Sequence, residues 1–112
     1  MARVEITNSL FKEIEKKFKG ESHEIIDLIG SLEENPKKGK LVAQVSGIVI
    51  KELKYKGFKF YFITDGYKLK FFNIQELSDL LIKFVRMSNK KEQQKTINEI
   101  KLVLKKFWEE GF

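Results

Sequence analysis

Val4 and Ile6 alternate with Arg3, Glu5 and Thr7, a period of two that predicts a short first strand. Asn8 or Ser9 then offers an N-cap, and Leu10, Phe11, Ile14 and Phe18 recur at helical spacing until Gly20 stops the helix. A second helix follows from Ser22, with Ile25, Ile26, Leu28, Ile29 and Leu32 as its apolar stripe. Asn35-Pro36 ends it, because proline disfavours a helical residue before it. The loop Lys37-Lys38-Gly39-Lys40 is polar and basic, and the strand pattern resumes near Leu41.

From Ile48 to Phe72 the chain reads as β-hairpin. Val49, Lys51, Leu53 and Tyr55 fall on one side and Ile48, Ile50, Glu52, Lys54 and Lys56 on the other; Phe58, Phe60 and Phe62 alternate with Lys59, Tyr61 and Ile63. Asp65-Gly66 sits where a tight turn needs positive φ, between Phe58–Thr64 and Tyr67–Phe72. The alternation predicts one face that buries rings and another that presents ammonium groups. Among all these lysines the only acids are Glu52 and Asp65.

Asn73 to Ser88 supports two readings. Asn73 and Glu76 can cap a helix carrying Ile74, Leu77, Leu80, Leu81 and Phe84. Equally, Leu81 to Arg86 can form a buried strand closing the sheet after a short helical or turn insertion at Ile74–Asp79. Beyond it, Asn89 with Glu92 resembles a capping box, and Ile97, Ile100, Val103, Leu104, Phe107 and Trp108 make the stripe of a last helix that docks by its second half.

At 112 residues, with 42% apolar and 12% aromatic side chains, the chain predicts a single domain, 1–112, with one modest core. A formal charge of +6 favours an acidic partner: nucleic acid, an acidic protein segment or an anionic membrane surface. Lysine neutralises phosphate and exposed tyrosines stack on splayed bases, so the hairpin suits RNA; lysines also guard sheet edges, which is the plainer account of the same composition. The absence of cysteine excludes disulfides and thiolate metal sites and fits a reducing cytoplasm. No apolar run is long enough for a membrane span, and no signal-peptide pattern opens the chain. His23, the sole histidine, falls in the first turn of the second helix beside Glu24 and reads as a surface residue. No glycine-rich phosphate loop, nucleophile elbow or paired carboxylates at metal spacing occur, so no cofactor or metal is expected.

The element order, with three short motifs, resembles the RelE/ParE toxin superfamily. Leu32-Glu33-Glu34-Asn35-Pro36 followed by Gly39 is similar to the family's end of helix two. Glu52-Leu53-Lys54 and Gly57-Phe58-Lys59-Phe60-Tyr61-Phe62 look like its "K-L-R … Y-R-x-x-Y" strand pair, with lysine in place of arginine. Phe84-Val85-Arg86-Met87-Ser88-Asn89-Lys90-Lys91 is similar to the HigB-like branch, whose last strand runs into a basic stretch and a helix. The resemblance covers roughly Arg3 to Leu104 and tips Leu81–Met87 towards strand. It implies an α+β, RelE-like fold: an N-terminal strand and helical hairpin packed on a small antiparallel sheet, with a C-terminal helix.

In function it implies the toxin of a type II toxin-antitoxin pair, a cytoplasmic mRNA endoribonuclease that uses no metal, acts with or without the ribosome, and is neutralised by a protein antitoxin. Such cleavage needs the 2′-hydroxyl deprotonated, positive charge on the transition state, and a proton for the leaving 5′-oxygen. Carried over by position, Lys54, Lys59 and Arg86 contact the phosphate from three strands, and Tyr61 stacks on a base or donates a proton. Lys51, Lys56, Lys90, Lys91 and Lys95 extend the RNA contact. No histidine or tyrosine follows Tyr67, whereas family nucleases commonly place one near the C-terminus, and lysine does not reproduce arginine's bidentate fork. Two other readings therefore stand beside the nuclease: a RelE-fold interaction module without catalysis, and a basic RNA-binding domain of another fold.

Overall fold

The computed structural model describes residues 2–45 and 47–87, together with Lys95, Asn98 and Leu102. In chain order it forms β1 (Arg3–Ile6), α1 (Asn8–Phe18), α2 (Ser22–Gly30), β2 (Lys40–Val45), β3 (Ile48–Tyr55), β4 (Phe58–Thr64), β5 (Lys68–Phe72) and α3 (Ile74–Met87). The strands make one sheet in the order β1-β5-β4-β3-β2. β2 to β5 form an antiparallel meander, while β1 lies parallel to β5, with Val4 opposite Leu69 and Ile6 opposite Phe71. The sheet is thus mixed and not antiparallel as anticipated, because the two helices carry the chain away from β1 and the meander returns with β5 beside it.

Local chemistry sets the element ends. The cap of α1 is Thr7, one residue before the expected Asn8, and its hydroxyl accepts from the Leu10 amide at 3.3 Å. Short 3-10 turns at Lys19–Glu21 and Ser31–Glu33 follow α1 and α2, so α2 ends at Gly30, before Asn35-Pro36 is reached. The β3–β4 turn is Lys56-Gly57, with φ of 45° and 85°, the left-handed pair that a two-residue hairpin favours. At the β4–β5 turn Gly66 has φ of 103°, and the Asp65 carboxylate accepts from the Tyr67 and Lys68 amides at 3.0 and 3.2 Å.

Alternation along β3, β4 and β5 sends side chains to two cores. Leu53, Phe60, Phe62, Leu69 and Phe71 meet Leu10 and Ile14 of α1 and Ile25 and Ile29 of α2 on one face. Ile48, Ile50, Ile63 and Phe72 meet Leu77, Leu80 and Phe84 of α3 on the other. The expectation of one face given over to ammonium groups is therefore corrected. That face carries the apolar residues that meet α3 and a buried Lys70 beside them, as well as Lys40, Lys54 and Lys59.

α3 also decides the second open question. Residues 74–87 are helical, and the strand expected over Leu81–Met87 is not formed. Asn73 and Glu76 make a reciprocal capping box: the Glu76 amide donates to the Asn73 side chain at 2.9 Å, and the Asn73 amide donates to the Glu76 carboxylate at 3.0 Å. Leu77, Leu80 and Phe84 then fall on one helical stripe over the sheet. Thr7 donates to the same Glu76 carboxylate at 3.0 Å, tying the cap to the end of β1. Beneath, the buried Lys70 ammonium lies 3.3 Å from Glu5, which Arg3 also contacts at 3.1 Å, so the β1–β5 pairing carries a compensated charge cluster.

Gly39, before β2, has φ of 111°, and a Cβ there would lie 3.1 Å from both the Glu52 carbonyl and the Phe62 ring. Gly39→Ala is expected to destabilise the fold by about 1–3 kcal/mol, from left-handed strain and the crowded ring. Chemical denaturation checks this, and an unchanged midpoint would contradict it.

Candidate nucleic-acid interface

The register of β2, β3 and β4 builds a cluster on the α3 face of the sheet. Lys54 stands directly opposite Lys59, and the adjacent row runs Lys40, Glu52, Tyr61, Phe72 across four strands. Directly opposed residues hold their Cβ atoms about 4.5–5.5 Å apart, so these side chains share one small surface. Lys40, Lys54 and Lys59 are exposed, Tyr61 is half-buried, and Glu52 is buried with its side chain 8% exposed. The Lys59 ammonium lies 3.7 Å from the Glu52 carboxylate. Among the described residues Lys40 and Lys54 have no ion-pair partner.

Like charges directly opposed across strands destabilise a sheet. Glu52 offsets one of the three lysines, so the cluster keeps a positive excess that an anion would relieve. Sequence reasoning placed Lys54, Lys59 and Tyr61 on this face but gave Glu52 no role. Its signal was present: Glu52 is the only acid between Ile48 and Thr64, and alternation set it on the side of Lys54.

Lys51 and Lys56 do not join the cluster. Lys51 is three residues from Lys54, so the pleat sends it to the opposite face, where it donates to the Lys37 carbonyl at 2.7 Å. Lys56 occupies the β3–β4 turn and pairs with Glu21 at 3.4 Å. Next to it the Tyr55 hydroxyl donates to Glu24 at 2.8 Å, and this bond, before the charges of Glu21 and Glu24, holds the phenol above its ordinary pKa. The charge of Glu21 likewise raises the Lys56 ammonium. Both residues thus fasten the hairpin tip to the corner between α1 and α2.

Arg86 lies in the last turn of α3, not on a strand, so the three-strand set of Lys54, Lys59 and Arg86 is not formed as expected; its side chain lies outside the described residues. Also outside them are Lys90, Lys91, the Asn89–Glu92 box and the stripe Ile97, Ile100, Val103, Leu104, Phe107 and Trp108, whereas Lys95 is helical and exposed. His23 is exposed in the first turn of α2. Among the described residues no group of three His, Cys, Asp or Glu side chains is placed to hold a metal, and no helix is long and apolar enough to cross a membrane. No family model, curated protein or solved structure matches the chain.

Proposed function

We propose that the protein binds RNA on the Lys40–Lys54–Lys59 surface and cleaves it there, as a cytoplasmic toxin of the RelE/HigB kind held in check by an acidic protein antitoxin. The observation that carries this reading is the opposed Lys54–Lys59 pair beside a buried carboxylate and a tyrosine, which together supply every group that transesterification needs without a metal. Glu52 takes the proton from the 2′-hydroxyl, whose oxygen attacks the neighbouring phosphorus. Lys54 and Lys59 stabilise the added negative charge as the phosphorane-like state forms. The 5′-oxygen leaves with the Tyr61 proton, and a 2′,3′-cyclic phosphate remains on the other product. Catalysis resting on lysine and a strand glutamate accounts for the lack of a histidine or tyrosine after Tyr67.

A second reading, RNA binding without cleavage by a fold outside this superfamily, is favoured by the helical α3 and the resulting place of Arg86. Both readings require phosphate contact. Affinity for single-stranded RNA is therefore expected to fall linearly in a log–log plot against salt, by about 0.7 in slope for each phosphate neutralised. Lys54→Ala and Lys59→Ala should each flatten that slope by roughly the same amount. A salt series in fluorescence anisotropy measures it, and a flat response in the unsubstituted protein would sink both readings.

A further inference from the structure

Strand β4 is longer than its neighbour. Its last partner on β5 is Phe72, opposite Tyr61, so Phe58, Lys59 and Phe60 pair with β3 alone. Where β5 turns away into α3 the sheet has a notch, closed on the other side by the second half of α1. A cavity of about 270 Å3 fills the notch. Five rings line it: Phe18 meets Phe58 edge-on with ring centroids 4.9 Å apart, and Phe60, Tyr61 and Phe72 stand around them. Phe58 remains 41% exposed, with the Lys17 ammonium 4.5 Å from its ring centroid. Lys59 and Tyr61 belong to this cavity and to the phosphate cluster alike.

We propose that the notch receives one unpaired nucleobase of the RNA, next to the phosphate held by Lys54 and Lys59, and that it prefers guanine. The proposal rests on the RNA-binding reading above and adds a base preference to it. Size selects the ligand first. The cavity lies just under the roughly 300–1,000 Å3 that drug-sized ligands occupy, which suits one base and leaves no room for a peptide strand with side chains. Chemistry orients it. The rings offer stacking partners to a flat heterocycle, and Lys17 adds a cation above Phe58. Glu13 is the one carboxylate among the described lining residues, and its oxygens accept N–H donors. Asn73 donates to that carboxylate at 3.4 Å and holds it at the rim. Guanine is the RNA base with two adjacent donors, N1–H and the N2 amino group, on its pairing edge, and a carboxylate can accept both.

The test is fluorescence anisotropy at one low salt concentration with four short oligouridylates that carry guanosine, adenosine, cytidine or uridine at a single central position. The guanosine oligomer is expected to bind about tenfold more tightly than the uridine one. Glu13→Gln, an exposed change that keeps the side chain's shape, should erase that difference. Phe58→Ala should weaken the guanosine complex roughly tenfold, within the range of lost base stacking; Phe58→Leu, which retains apolar bulk, should weaken it too, because it also lacks the ring face. Equal affinities for all four oligomers, with binding still dependent on salt, would overturn the base notch while leaving phosphate recognition standing. A guanosine preference that survives Glu13→Gln would overturn the role of Glu13, and no binding to any oligomer would overturn the RNA reading itself.

Discussion

Glu52→Gln is expected to slow RNA cleavage by roughly a hundredfold or more while the protein still holds RNA at least as tightly. The size follows from losing a positioned proton acceptor, which commonly contributes about 10²–10⁴ in rate. Glutamine fills the same volume in a site where the native side chain is 8% exposed, so the surrounding strands need not move. Removing the negative charge also leaves Lys59 wholly available to phosphate. Lys59→Ala should behave differently, losing affinity together with at least about a hundredfold in rate, because its charge acts on the bound and the transition state. Single-turnover cleavage of a labelled RNA, with and without ribosomes, separates the two effects. If the unsubstituted protein binds RNA but yields no 2′,3′-cyclic phosphate in either format, the nuclease reading fails and RNA binding alone remains.

Phe62→Ala should produce the largest loss of stability, about 3–5 kcal/mol, out of a total that for natural domains is about 5–15 kcal/mol. The ring is fully buried, stacks on Phe71 with centroids 4.6 Å apart, and presses against Gly39 where the chain enters β2. Deleting it opens a cavity between the sheet and the α1–α2 layer that neither can readily fill. In a domain of this size each kcal/mol moves the melting temperature by roughly 4–8 °C, so the variant should be largely unfolded at growth temperature or melt far below the native protein. A shift of only a few degrees would mean that the core repacks around the gap.

Much of this architecture was legible because it follows from short-range patterns. The period of two up to Phe72, the period of 3.6 in the first two helices, the Asp65-Gly66 turn and the Asn73–Glu76 capping box are local, and the structure forms them. Partnership was not legible. Leu81 to Arg86 reads as a buried strand or as part of a helix according to what covers it, and Ile48, Ile50, Ile63 and Phe72 supply a face for a helix. The parallel seam of β1 on β5 joins segments 65 residues apart in register, which no local period reports. At the site, alternation already put Lys54, Lys59 and Tyr61 together. Glu52 was passed over because its burial depends on neighbours from β2 and β4, and Lys51 was kept as an RNA contact although alternation already set it on the side opposite Lys54.

That seam also has a temporal meaning. The chain emerges from the ribosome in order, and β1 finds no sheet neighbour until Lys68 to Phe71 have been made. Contacts between such distant segments form late, since the intervening loop must close before they reward it. Every shorter nascent chain therefore lacks the strand that completes the sheet and, without Asn73 and Glu76, the cap that starts α3. The meander of β2, β3 and β4 that carries Lys40, Lys54 and Lys59 is complete by Thr64, so the lysine surface precedes the seam that locks the sheet.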